Sequence, residues 1–181
     1  QRNNPGRELP SSAWFDLATW HRITLLNGNS AATLLKDLHY LADQPDLVHR
    51  LLRVVREQTG HQLAGDVERA KIALSDRERT TMALPYVETD LAIPLSRSAF
   101  ERATAGETRK IVDCIHECLN QAGVGRDAIT TLFLTGGTSA IPAVRAACEA
   151  TVPRATAVAG DRFGSVGIGL TIHAGIRAAG R

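Results

Sequence analysis

Glu68, Lys71 and Ser75 sit in the stretch VERAKIALS at spacing i, i+3, i+7. On a helix that spacing places all three within roughly 60° of one face. A carboxylate, an ammonium and a hydroxyl in line beside the apolar stripe Val67, Ala70 and Leu74 supply the groups that grip ribose hydroxyls. The same pattern also describes an exposed glutamate–lysine pair contributing only a few tenths of a kcal/mol. The second constellation is LFLTGGTSAIP, residues 132–142, an apolar run that stops at Gly136-Gly137 and restarts through Ile141-Pro142. Glycine lets backbone approach a ligand closely, Pro142 suits a first helical turn, and the free N–H groups of that turn favour an anion. A plain tight turn fits the same letters.

Two further patterns carry less. AGDRFGSVGIGL, residues 159–170, has glycines in the order GxxGxG, the reverse of the dinucleotide fingerprint. Its small residues are expected to let a final helix pack closely on a sheet, with Asp161 capping that helix or orienting the Gly-Gly loop. Cys114 and Cys118 stand at i, i+4, but no second pair follows at zinc-ligand spacing. His116 points about 200° away from Cys114, off the thiol face. The reading is buried small residues and no metal. No GxSxG, HExxH or Walker loop occurs in the sequence, and no Ser/His/Asp set announces itself.

The elements that must position these groups follow from periodicity. Residues 1–12 read as a polar loop. Ser11 or Ser12 caps a helix through Trp14, Leu17, Ala18 and His21; a turn at Asn27-Gly28 follows. Helices are expected over 31–42, 46–58 (Leu47, Leu51, Val54, Val55 inward) and 61–74. TTMALPYV and LAIPLSR read as a strand pair. Ser98-Ala-Phe-Glu101 is a capping box for a helix to about 121, its inward positions Phe100, Ala103, Ile111, Cys114, Ile115 and Cys118; AGVGRD stops it. A strand at 130–135, a helix at 142–151, a strand at 155–160 and a helix at 164–178 complete an α/β order. In such sheets ligands settle at the carboxyl ends of strands, where Gly136 and Gly137 lie.

Composition narrows the function classes. The chain has 181 residues, 44% of them hydrophobic, with 21 basic and 19 acidic side chains and a formal charge of +2. That supports a packed core and leaves no nucleic-acid footprint; aromatics at 4% give no base-stacking platform. No run approaches the roughly 18 apolar residues of a membrane span, and no signal peptide is visible. Three cysteines point to a reducing, cytoplasmic setting. The sequence opens Gln1-Arg2 and its only methionine is Met82, so a piece of a longer protein is expected.

Taken together, VERAKIALS, IPLSRSAFE, LFLTGGTSAIPAV and DRFGSVGIGL resemble, in order and spacing, the second half of the ATPase domain of the seventy-kilodalton heat-shock chaperones. These are the DnaK-like members of the actin-fold superfamily. FDLATWH (15–21) and AKIALSD (70–76) are similar to the divergent YegD-type branch. The family-wide likeness covers residues 61–181; residues 1–60 fit only that branch. The implied fold is α/β, an actin-like, ribonuclease H-like second lobe with a mixed sheet, covering helices and an N-terminal helical region. The implied organisation is a loop at 1–12, a helical outer subdomain with a short hairpin at 13–96, and an α/β inner subdomain at 97–181.

The resemblance also implies roles. Glu68, Lys71 and Ser75 hold adenosine; Gly136 and Gly137 lie beneath the α-phosphate and ribose with Thr138 adjacent; Asp161 supports the pocket. ATP or ADP is the implied ligand, with Mg2+ expected only alongside the N-terminal lobe. The family's adenine-sandwiching arginines are replaced by Ile72 and Ala140, which implies weaker ATP binding or altered base preference. The family's Asp-x-Gly-Thr phosphate loop, catalytic lysine and second Asp-containing loop are not in this sequence, so it carries no catalytic residues by itself. Implied partners are nucleotide, the N-terminal lobe and unfolded client protein, without nucleic acid or membrane. A sugar or acid kinase lobe of the same superfamily, and a non-catalytic module using residues 13–60 as a helical surface, are the alternatives.

Overall fold

The computed structural model describes residues 12–27, 33, 35, 36, 39, 42–160 and 164–179. Residues 1–11 of the loop expected at 1–12, Gly28 of the expected turn, most of the 31–42 helix and Asp161 lie outside them, while Ser12 already belongs to a helix. Tertiary contacts divide the chain into two units, Gln1–Ala73 with Arg79–Leu95, and Leu74–Glu78 with Ser96–Arg181.

The first unit is built on helices. Helix α1 (Ser12–Ala18) passes into a 3-10 segment, Trp20–Asn27, so the helix expected to run on through His21 tightens after Ala18. Helix α2 (Pro45–Arg56) starts with Pro45 in its first turn, where the missing N–H costs nothing. It buries Val48, Leu51, Leu52, Val54 and Val55. Leu47, expected inward, is half exposed at 51%; Val48 takes the inward place. Leu26, Leu35, Ala42, Val48, Leu51, Leu52 and Val55 form one apolar cluster. A second gathers Val54, Leu84 and Val87, with Leu17, Leu63, Met82, Tyr86, Leu91 and Ile93 against it.

Helix α3 (Gly60–Asp76) leads to strands β1 (Arg79–Ala83) and β2 (Ala92–Ser96), which pair with each other. Exposure alternates along β1 and along β2 as far as Leu95, as one covered face requires. Leu84 N–H donates to Leu91 O at 2.8 Å at the turn end. Pro94 sits within β2, a placement confined to edge strands.

The second unit holds helix α4 (Arg97–Ala122), strand β3 (Thr131–Leu134), helix α5 (Pro142–Thr151), strand β4 (Thr156–Ala159) and helix α6 (Ser165–Ala179). The cap of α4 is Ser96, whose hydroxyl accepts from Ala99 N–H at 3.2 Å; it replaces the capping box expected at Ser98-Glu101, since Ala99 has no polar side chain to bond back. Gly123 ends α4 at φ 64, ψ 25, the left-handed conformation that glycine adopts freely.

Strands β3 and β4 are parallel, Thr131 opposite Thr156 through Leu134 opposite Ala159, and α5 makes the crossover such a pair needs. Leu134, Ile141, Val144 and Cys148 form the core, with Phe100, Ile111, Ile115, Leu132 and Ala157 packed on it. Two expectations fail in this unit. Ala103, Cys114 and Cys118 are exposed, not inward. Helix α6 is exposed from Gly167 to Ala179, and a Cβ added at Gly167, Gly169 or Gly175 would meet nothing within 4 Å; these glycines do not serve close packing on the sheet.

Candidate functional site

On α3 Glu68 and Lys71 form an ion pair, the alternative that their i, i+3 spacing also describes. Lys71 Nζ lies 2.6 Å from Glu68 Oε2, with the lysine side chain 25% exposed and the glutamate 56%. Glu68 also lines an apolar cavity of about 640 Å³ in the first unit, walled by Trp14, Trp20, Leu63, Val67 and Met82 among others. Val67, assigned to the inward stripe, is 52% exposed and forms part of that wall. Ala70 and Leu74 are buried, so the stripe closes toward the C-terminal half of the helix.

Ser75 stands in the last turn of α3 and belongs to the second unit. The carbonyls there have no intrahelical partner to come. Arg97 supplies one: its Nε donates to Leu74 O at 2.7 Å and its Nη2 to Ser75 O at 3.3 Å, while its own N–H donates to Glu78 O at 2.8 Å. A guanidinium at a helix C-terminus also complements the dipole. Sequence reasoning passed over Arg97; a lone basic residue after a strand gives no sign that it will turn back onto an earlier helix.

The Gly-Gly bend depends on a backbone conformation reserved to glycine. Gly136 adopts φ 82, ψ 158, a region open essentially to glycine alone. Its carbonyl accepts from Ser139 Oγ at 2.7 Å and from Ser139 N–H at 3.2 Å. That clamp shapes Gly137–Ala140 into a single 3-10 turn, closed by Ile141 N–H donating to Thr138 O at 3.1 Å. Helix α5 then opens at Pro142 with Ile141 as its cap and no side-chain cap bond. Its first N–H groups are therefore not claimed by a capping side chain. Thr138 is exposed, and Gly136 and Gly137 are half-buried.

The bend begins two residues beyond Leu134, the carboxyl end of β3, where Gly160 N–H donates to Leu134 O at 3.3 Å. Glycine permits the approach, the uncapped helix start favours negative charge, and the buried Leu134 and Ile141 on either side hold the bend in place. The arrangement can seat an anionic or polar ligand against backbone. Glu68 and Lys71 are brought together in the first unit; Ser75, Gly136, Gly137 and Thr138 belong to the second. Ile72 is 53% exposed and Ala140 half-buried. Among the described residues no group of three or more His, Cys, Asp or Glu side chains gathers to hold a metal ion, and no helix is long and apolar enough to cross a membrane.

The family model described as Hsp70 protein matches residues 40–180. Among curated relatives, the chaperone protein DnaK of Deinococcus proteolyticus is 26% identical over 145 residues, covering 76% of this chain and 23% of the relative. The chaperone protein HscA homolog of Shewanella denitrificans is 26% identical over 152 residues, 84% of this chain and 25% of the relative. DnaK of Halobacterium salinarum is 30% identical over 118 residues, 62% of this chain and 19% of the relative. The chain thus spans about a quarter of the length of the curated relatives it matches.

Proposed function

The chain belongs to the Hsp70 family, and from that premise we propose that it forms the second lobe of an actin-like nucleotide-binding domain, presenting the adenosine side of an ATP cleft. Membership implies the actin-like ATPase fold and a chaperone relationship. The lobe, its division at 13–96 and 97–181, its place in the YegD-type branch and its cleft are our reading. The observation that supports it most is the bend at Gly136, whose φ of 82 and ψ of 158 place glycine backbone and an uncapped helix start together. Backbone of this kind, reserved to glycine, lets a ligand approach the main chain closely.

In this reading Gly136, Gly137 and Thr138 lie under the α-phosphate and ribose. Glu68, Lys71 and Ser75 hold adenosine hydroxyls, and Asp161 supports the pocket. ATP or ADP is the ligand, with Mg2+ joining it through groups of the other lobe. The chain's own residues bind and orient. Positioning of the γ-phosphate, the metal and the attacking water requires groups that this sequence does not contain. Partners are nucleotide, the N-terminal lobe and unfolded client protein. Ile72 and Ala140 stand where the family resemblance puts arginines on the adenine ring; losing two cation–π contacts, each about 0.5–2 kcal/mol, makes binding weaker and less adenine-selective.

Calorimetric titration of ATP, ADP and GTP into the full-length protein tests this. Binding that is lost in Gly136→Val and lowered several-fold in Lys71→Ala is the expected result. Phosphoryl transfer to a sugar or acid would move the lobe to the kinase branch of the superfamily. A full-length protein indifferent to all three nucleotides overturns the proposal and leaves a helical interaction module at 13–60.

A further inference from the structure

Cys114 and Cys118 lie one turn apart on α4, about 40° around the axis and about 6 Å along it. Both are exposed, whereas the third cysteine, Cys148, is buried in the core of the second unit. At this spacing on one helix face, two cysteine side chains can reach a common ion. Asp113 and Glu117 are exposed on the same stretch of helix; Gln121 Nε2 donates to Glu117 Oε1 at 2.8 Å. The surroundings are sulfur and carboxylate, groups that suit a cation.

We propose that Cys114 and Cys118 form a two-thiolate clip for a soft monovalent cation, Cu(I). Soft thiolates select Cu(I) over harder ions, and Cu(I) accepts two ligands in a near-linear arrangement that a one-turn spacing can span. No redox change is involved. Two S–H bonds give up their protons to solvent, two S–Cu bonds form, and the site passes from neutral dithiol to a singly negative dithiolate complex. Absence of a third ligating side chain nearby among the described residues disfavours zinc, which takes four ligands, and leaves the two-coordinate ion as the fitting occupant. The site is independent of the nucleotide reading: it lies on the exposed side of α4, and none of its atoms belongs to the bend at Gly136.

The test is anaerobic titration of the full chain with Cu(I) buffered by bicinchoninate, followed by the thiolate-to-copper absorption in the ultraviolet. One equivalent bound in competition with the chelator is expected. Cys114→Ser and Cys118→Ser, each keeping two other cysteines, should each lower the affinity by more than about 100-fold, beyond what outer-sphere groups cost. Both positions are exposed, so circular dichroism of the variants should match the parent. Wild-type chain that fails to compete with bicinchoninate, or either serine variant binding Cu(I) as well as the parent, overturns the proposal.

Discussion

The Tyr86 hydroxyl donates to Asp66 Oδ2 at 2.7 Å, joining the segment between β1 and β2 to the middle of α3. Asp66 is only 13% exposed and also accepts from Arg69 Nη2. Burial, the bond to Asp66 and the charge of that carboxylate together push the Tyr86 phenol well above the ordinary tyrosine value. The phenol is charged when deprotonated, so a raised value means the native state keeps its proton longer than the unfolded chain. The stabilisation is complete below the unfolded tyrosine pKa of about 10 and declines as pH rises above it.

Tyr86→Phe should therefore lower stability at neutral pH by about 1 kcal/mol, measured by urea unfolding, and flatten the alkaline loss of stability. Ultraviolet titration should show one of the two tyrosines ionising late, and that late phase should vanish in the variant.

Gly136 and Gly123 are both at positive φ, 82 and 64, with open space where a Cβ would stand. Any cost of alanine at either is thus conformational, not steric. Gly123→Ala places alanine in the left-handed helical region and should cost about 1–2 kcal/mol. Gly136→Ala enters a region other residues barely occupy and should cost about 1–3 kcal/mol, with the larger loss at Gly136. Paired chemical denaturation curves check the order.

Gly60 is constrained by packing instead. A Cβ there would lie 2.5 Å from Ile23 Cγ2 and 3.5 Å from Leu17 Cδ1. Gly60→Ala should destabilise by about 1–3 kcal/mol. Removing the obstruction with Ile23→Ala should make the double variant less destabilised than the sum of the singles, read as a coupling energy in a double-mutant cycle.

Arg97→Ala removes both side-chain donors to the carbonyls of Leu74 and Ser75. Hydrogen bonds from charged groups contribute about 1.5–3 kcal/mol, and the expected loss is near the lower end because Arg97 is only half-buried. Faster amide exchange confined to the last turn of α3 would identify the cause as the clamp, and unchanged exchange there would reject it.

Much of this was legible in the sequence. The order of elements in the second unit, the Gly123 stop, the Pro142 start and the Glu68–Lys71 pairing all follow from local rules that act within one turn. What escaped the reading involves lengths and partners farther along the chain. Cys118 falls on the same side of α4 as Ile111, yet α4 has 26 residues and its partner α5 only 10. The shared core reaches Ile115 and takes in no later residue of α4, so a periodic position beyond it is inward in angle alone. Ser96 outcompeted Ser98 as cap because the strand hands over to the helix at Arg97, a boundary set by β1–β2 pairing. For the site, residue types were readable; the role of Arg97 depended on a fold-back across 22 and 23 positions that no spacing rule encodes.

The β3–β4 ribbon carries a further consequence. Among the described residues each strand has a neighbour on one side only, and neither TLFL nor TAVA contains a charge or a proline. Phe133 and Val158, directly opposite one another, are 58% and 41% exposed. Proteins ordinarily blunt such margins with lysine, proline or a covering element. Expressed by itself, this polypeptide would offer its own backbone as a template to its copies.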